Sequence, residues 1–172
     1  MKKRLLIIGA AVLTALMAQD RYALIAPNGV AFSEFRGYET WQAVAPSLNG
    51  DQIKVITGNP IMIAAYKDGF PANGKPVPDG AALAKIEWAK KASAEFPTRA
   101  IVPGDLQAVQ FMLKDSKRFP ETNGWGYADF VYDAASGAFK PRGSASFAKA
   151  VCHTCHTAVP RKDFVFTEFQ AR

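Results

Sequence analysis

The sequence predicts an α+β fold, mainly antiparallel β-sheet with a few helices, and three observations carry the prediction. Short segments rich in Val, Ile and aromatic residues are punctuated by Gly- and Pro-bearing turns at even spacing. One of them, "NGWGYADFVYD" (123–133), alternates apolar and polar residues after a Gly-rich turn, the period of a strand with two unlike faces. Near the C terminus, "SASFAKAVCHTCH" (144–156) places Ser144 as an N-cap before Phe147, Ala148 and Val151, which predicts a short C-terminal helix.

The first 18 residues stand apart from this pattern. "MKKRLLIIGAAVLTALMA" has three cations, then an uncharged apolar run, then small residues, the plan of a secretory signal peptide. Residues 1–18 are therefore read as a leader and 19–172 as a single domain, long enough to bury a core without disulfide staples. Export places the mature chain in the periplasm. Removing Lys2, Lys3 and Arg4 halves the formal charge of +6 and leaves no polycationic tract, so nucleic-acid binding is not suggested.

Along the domain, "FRGYETWQAVAPSL" (35–48) spaces Phe35, Tyr38, Trp41, Val44 and Leu48 by three or four, which reads as an amphipathic helix. "IKVIT" (53–57), "IMIAAY" (61–66) and "AALAKIEWA" (81–89) read as strands from their β-branched content, with "TGNP" and "KDGFPANGKPVPDG" as the turns between them. "LQAVQFMLKDSKRF" (106–119) fits either a strand or a helix.

Both cysteines and both histidines of the chain fall within Cys152-His153-Thr154-Cys155-His156. A disulfide between residues three apart closes a tiny loop and contributes little through loop entropy. A thioredoxin-like motif would open a helix after a first strand, and a zinc site would need all four ligands from one short turn. C-x-x-C-H in an exported protein is instead the attachment signature of a c-type haem. Cys152 and Cys155 would form thioethers to the two vinyl groups, and His156 would supply the axial nitrogen to iron.

Counting ligands narrows the function. His153 lies inside the attachment loop and cannot reach the opposite haem face, which excludes bis-histidine coordination. Met62 and Met112 sit in apolar runs that suit core filling, and either would have to bind iron for the protein to be a plain electron-transfer cytochrome. Otherwise the sixth position is open to a small molecule. On the segment 81–89, a strand would turn Ala82, Ala84, Ile86 and Trp88 to the core and Leu83, Lys85 and Glu87 to the other side. Lys85 and Glu87 then form either a solvent-facing pair or an amine and a carboxylate at the haem edge.

Three blocks, "PDGAALAKIEW", "KDSKRFPETNGWGYADFVY" and "VCHTCH" followed by "KDFVFTEF", resemble the cytochrome P-460 family and its relatives, the cytochromes c′-β. The resemblance runs from about Tyr38 to Phe169. It implies an antiparallel β fold, a homodimer, and one covalently attached haem c with an open distal face. It also implies a lysine–haem cross-link at Lys85, which stands seventh counting Asp79 as first. The implied activity is oxidation of hydroxylamine, with nitric oxide chemistry at iron and a redox-partner cytochrome taking the electrons. Under the c′-β alternative, the protein binds nitric oxide or a similar gas without catalysis, beneath an apolar cap. Phe111, Trp88, Tyr127 and Phe130 are the cap candidates. One departure stands out: the distal carboxylate of catalytic members falls at Gln110, which is no base at neutral pH. Glu87 is the nearest substitute along the chain.

Overall fold

The structure, a computed structural model, describes residues 20–96 and 99–170. The expected leader, 1–18, lies outside the described residues. Six strands form one antiparallel meander in chain order: β1 (Gln42–Asn49), β2 (Gln52–Gly58), β3 (Ala82–Ala92), β4 (Ile101–Lys114), β5 (Trp125–Asp133) and β6 (Ala138–Pro141). Helix α1 (Pro60–Lys67) links β2 to β3. A C-terminal helix starts as a π-helical stretch, Ala148–His153, and ends in a short α-helical turn, Thr154–His156.

The sheet carries a core on each face. On one side the N-terminal segment lays Phe32, Phe35 and Tyr38 over Ala84, Phe111 and Phe130, with the Phe35 and Phe111 rings stacked at 4.0 Å. On the other side, Met62 and Tyr66 of α1, Ala148 of the C-terminal helix and Val165 of the tail pack on Leu83, Trp125 and Tyr127. The period-2 alternation of β3 and β5 divides their residues between the two cores, as extended backbone requires.

Two sequence expectations fail, each for a local reason. The helix expected over 35–48 is two 3₁₀ turns, Phe32–Phe35 and Tyr38–Thr40, followed by β1. Gly37 sits between the turns at φ +80, outside helical space, and Pro46 would have broken a continuing helix. Pro46 is tolerated on β1 because that strand is a sheet edge. The strand expected over 61–66 is α1. Asn59 caps it by accepting from Met62 N at 2.9 Å, Pro60 takes the first turn, and Met62, Ile63 and Tyr66 form the buried stripe. The ambiguous segment 106–119 is strand as far as Lys114. The C-terminal helix forms as expected but without Ser144 as its cap. The Ser144 hydroxyl lies 3.1 Å from that of Ser146, and the N-cap position is Phe147, with no side-chain capping bond.

The start of β3 is anchored by two of the sequence blocks named above. Asp79 accepts from Ser116 N at 2.9 Å and from the Ser116 hydroxyl at 2.5 Å, and Gly80 turns the chain at φ +86. Asn59 also accepts from Ala82 N at 3.0 Å. Lys85 follows three residues later on a strand held at its root.

Candidate functional site

A cavity of about 500 Å³ opens between the sheet and the C-terminal helix. Cys152, Cys155 and His156 line one wall. The facing floor comes from consecutive rungs of the sheet. In one, Ile56, Lys85, Gln110 and Asp129 stand side by side across β2, β3, β4 and β5. In the next, Leu83, Met112 and Tyr127 do the same. All seven of these side chains line the cavity. One rung is polar and the other apolar.

His156 is oriented by the tail that follows it. Its Nδ1 lies 2.6 Å from the Phe164 carbonyl oxygen, which can only accept, so Nδ1 carries the proton and Nε2 keeps its lone pair. Burial also pushes the imidazole pKa below its usual value, which favours the neutral form. Asp163 and Phe164 hold positive φ angles of 42° and 63° to present this carbonyl. Asp163 is fixed by Lys114, whose Nζ donates to both carboxylate oxygens at 2.9 Å and to Asn123 O at 3.0 Å. Trp125 Nε1 donates to the Asp163 carbonyl at 2.8 Å. A buried ion pair thus steadies the backbone that orients His156.

His153 is fully engaged elsewhere. Tyr127 OH lies 3.1 Å from its Nδ1, and its Nε2 lies 3.1 Å from Asn123 Oδ1. The amide oxygen can only accept, so Nε2 donates and Nδ1 accepts from the tyrosine. Burial holds the Tyr127 phenol well above its normal pKa, which keeps it a donor. The Tyr127 ring in turn packs 5.1 Å from the His156 ring.

The sequence-derived residues fare unequally. Lys85 and Gln110 lie on the cavity floor. Glu87 does not line the cavity, yet it is no surface residue either: it is 4% exposed and meets Lys54 Nζ at 3.3 Å and Lys85 Nζ at 3.2 Å. The solvent-facing Lys85–Glu87 pair is therefore corrected to a junction in which the carboxylate is buried and the amine half-exposed. Ala82 and Ala84 join the opposite core as expected, whereas Trp88 is only half-buried where the β3–β4 register shifts. Met62 is wholly buried in the core and does not line the cavity, so of the two methionines only Met112 does. Phe111 borders the cavity, but its ring, like that of Phe130, packs against Phe32 on the far face of the sheet, whereas the Tyr127 ring packs beside His156.

Asp129 escaped the sequence reading. It is 5% exposed, and burial raises its carboxyl above the ordinary aspartate range. Gln110 Nε2 donates to its Oδ2 at 3.3 Å and Arg142 Nη1 lies 3.4 Å from the same oxygen, while Oδ1 is buried without a partner among the described residues. An acid in the middle of "GYADFVY" was a signal, because carboxylates are rarely buried without a purpose. Its strand partner could not be read from the chain.

The donor set fits a covalently tethered haem. Two unpaired thiols and one neutral imidazole with a free Nε2 face a single cavity, and apolar Leu83, Met112 and Val165 share its lining. Residues 35–167 match the family model described as Cytochrome P460. No curated protein matches the chain.

Proposed function

The chain belongs to the cytochrome P460 family and is thus a haem protein, and from that premise we propose that it is an exported mono-haem c-type cytochrome that oxidises hydroxylamine and handles nitric oxide. One observation carries the reading: the attachment motif faces a polar rung, Lys85–Gln110–Asp129, across one cavity, while the second histidine of the chain is spent on Tyr127 and Asn123. Cys152 and Cys155 would hold the haem by thioethers and His156 Nε2 would be its axial nitrogen. Haem bound there supplies a redox centre for a small nitrogen compound. The protein supplies the rest. Phe164 and the Lys114–Asp163 pair orient His156, Tyr127 packs beside it, and Leu83 and Met112 keep part of the cavity dry. Lys85, half-exposed on the cavity floor, is placed for the family's lysine–haem bond. A homodimer, a periplasmic location and a redox-partner cytochrome complete the proposal.

The ferrous optical spectrum tests it. Wild type should show a Soret band strongly red-shifted from ordinary c haem, lost in Lys85→Ala, together with hydroxylamine-dependent reduction of a dye acceptor. A high-spin spectrum that binds nitric oxide without turnover would replace this reading with the gas-binding one, which the apolar Leu83–Met112–Tyr127 rung favours. A low-spin spectrum indifferent to nitric oxide would point to Met112 on iron and electron transfer.

A further inference from the structure

We propose that Lys54, flanked by Ser47 and Asn49, is the carboxylate-binding corner of the cavity and takes the propionate side chains of the haem. The inference rests on the thioether attachment proposed above, because that attachment fixes which haem edge lies where. Beyond the Lys85–Gln110–Asp129 rung, the next rung on the same face of the sheet runs Ser47, Lys54 and Glu87 across β1, β2 and β3. Ser47 and Lys54 line the cavity, as does Asn49 two residues further along β1, whereas Glu87 does not. The corner therefore offers the cavity an ammonium, a hydroxyl and an amide, and withholds its carboxylate.

Charge in this corner is unbalanced. Lys54 Nζ at 3.3 Å and Lys85 Nζ at 3.2 Å meet the same oxygen, Glu87 Oε1, and neither ammonium has another ion-pair or hydrogen-bond partner among the described residues. An ammonium carries three N–H donors. Lys54 is only 8% exposed, so its unspent donors are largely shut off from bulk water. A buried cation with unspent donors costs stability unless an anion meets it. Committing Lys85 to the haem bond leaves Lys54 with Glu87 and two N–H for an incoming carboxylate. Position selects the ligand. Cys152 and Cys155 would hold the vinyl edge of the haem, and the propionates project from the opposite edge. The attachment helix is joined to β5 through His153 and Tyr127. Lys54 on β2 stands three strand spacings from β5, about 14 Å, and Ser47 on β1 one strand further. The corner thus lies across the cavity from the strand that seats the thiols.

Resonance Raman spectra of the haem-loaded protein report the propionate bending mode directly and do not depend on turnover. Lys54→Met should move this band to lower frequency, as loss of a charge-assisted hydrogen bond does. The same variant should have a lower reduction potential, because a cation beside the haem is gone. Lys54→Arg should keep the band near its wild-type position, and Asn49→Leu should shift it less than Lys54→Met. Glu87→Gln, which releases Lys54 from its internal partner, should move it to higher frequency. A band unmoved by Lys54→Met overturns the assignment. Should Lys54→Met fail to load haem, a band unmoved in both Glu87→Gln and Asn49→Leu overturns it instead. A small oxyanion has the same chemistry as a propionate, so sodium nitrite is titrated calorimetrically against the same proteins. Nitrite binding weakened in Lys54→Met together with an unmoved Raman band makes the corner a free-oxyanion site and overturns the haem reading. Mass spectrometry of the denatured protein separates the two levels of the argument. Haem not bound to Cys152 and Cys155 overturns the proposed function, whereas covalent haem with an unmoved band overturns the role of Lys54 alone.

Discussion

Replacing Lys114 by Met removes the ammonium that braces the His156 support and lies 5.0 Å from the Trp125 ring centroid, while keeping a side chain of similar length and volume. Lys114 and Asp163 are nearly buried, with side chains 8% and 14% exposed, so the pair is little screened by water. Breaking such a pair by deleting one partner costs about 3–5 kcal/mol, because the remaining charge is left buried. Asp163 keeps one donor, Val77 N at 2.8 Å, which puts the expected loss at the lower end, about 3 kcal/mol. For a domain of this size that corresponds to a Tm lower by roughly 6–12 °C. The effect should reach His156, since Asp163 and Phe164 hold left-handed conformations that are costly without support. With His156 as the proposed axial ligand, a weaker hydrogen bond from its Nδ1 lowers the basicity of the imidazole, so the reduction potential of the haem-loaded variant should rise. The assays are calorimetry and potentiometry on Lys114→Met, Asp163→Asn and the double variant. Asparagine tolerates positive φ, so Asp163→Asn tests charge rather than backbone. The two losses should be less than additive, with a coupling of about 1–3 kcal/mol. A Tm drop of under about 2 °C, or two additive losses, would refute the brace.

Two further predictions concern the pins around the site. Burial depresses the pKa of His153 below the usual histidine value of 6.5. The unfolded chain therefore binds more protons at low pH, and the stability His153 contributes is present above pH 6.5 and lost as pH falls below it; His153→Gln should flatten that part of the haem-loaded stability profile, and an unchanged profile would count against the reading. Asn59→Ala removes a helix cap and the acceptor for Ala82 N together, which should cost about 1–2 kcal/mol in denaturant unfolding, and a neutral result would show that neither bond contributes.

How much of this was legible in the sequence depends on the range of the interaction. The grouping of two thiols and an imidazole within five consecutive residues was readable, since a single helical turn sets all three on one cavity wall. The strand at 123–133 was readable because alternation is local. The residues at 35–48 misled because aromatic spacing near 3.6 can also arise where successive turns feed two different cores. Phe35 and Tyr38 enter one core and Val44 the other, and Gly37 and Pro46 were the local signs of the break. In 61–66, β-branched content outweighed the Asn59–Pro60 start signal, although that signal was the stronger physical statement.

The sequence by itself determined the chemistry on offer: two thiols and an imidazole in the spacing expected of a haem attachment, and a lysine and a glutamine on segments resembling a known family. The tertiary structure decided which groups meet. Strand register is a long-range property, set by side chains packing on both faces of the sheet. That register is what stands Lys85, Gln110 and Asp129 in one rung and makes an aspartate, rather than the glutamate two residues from Lys85, the carboxylate of the cavity. The same packing decided that His153 should hold Tyr127 and that Lys114, far from the motif in sequence, should pair with Asp163 beside the carbonyl that aims His156.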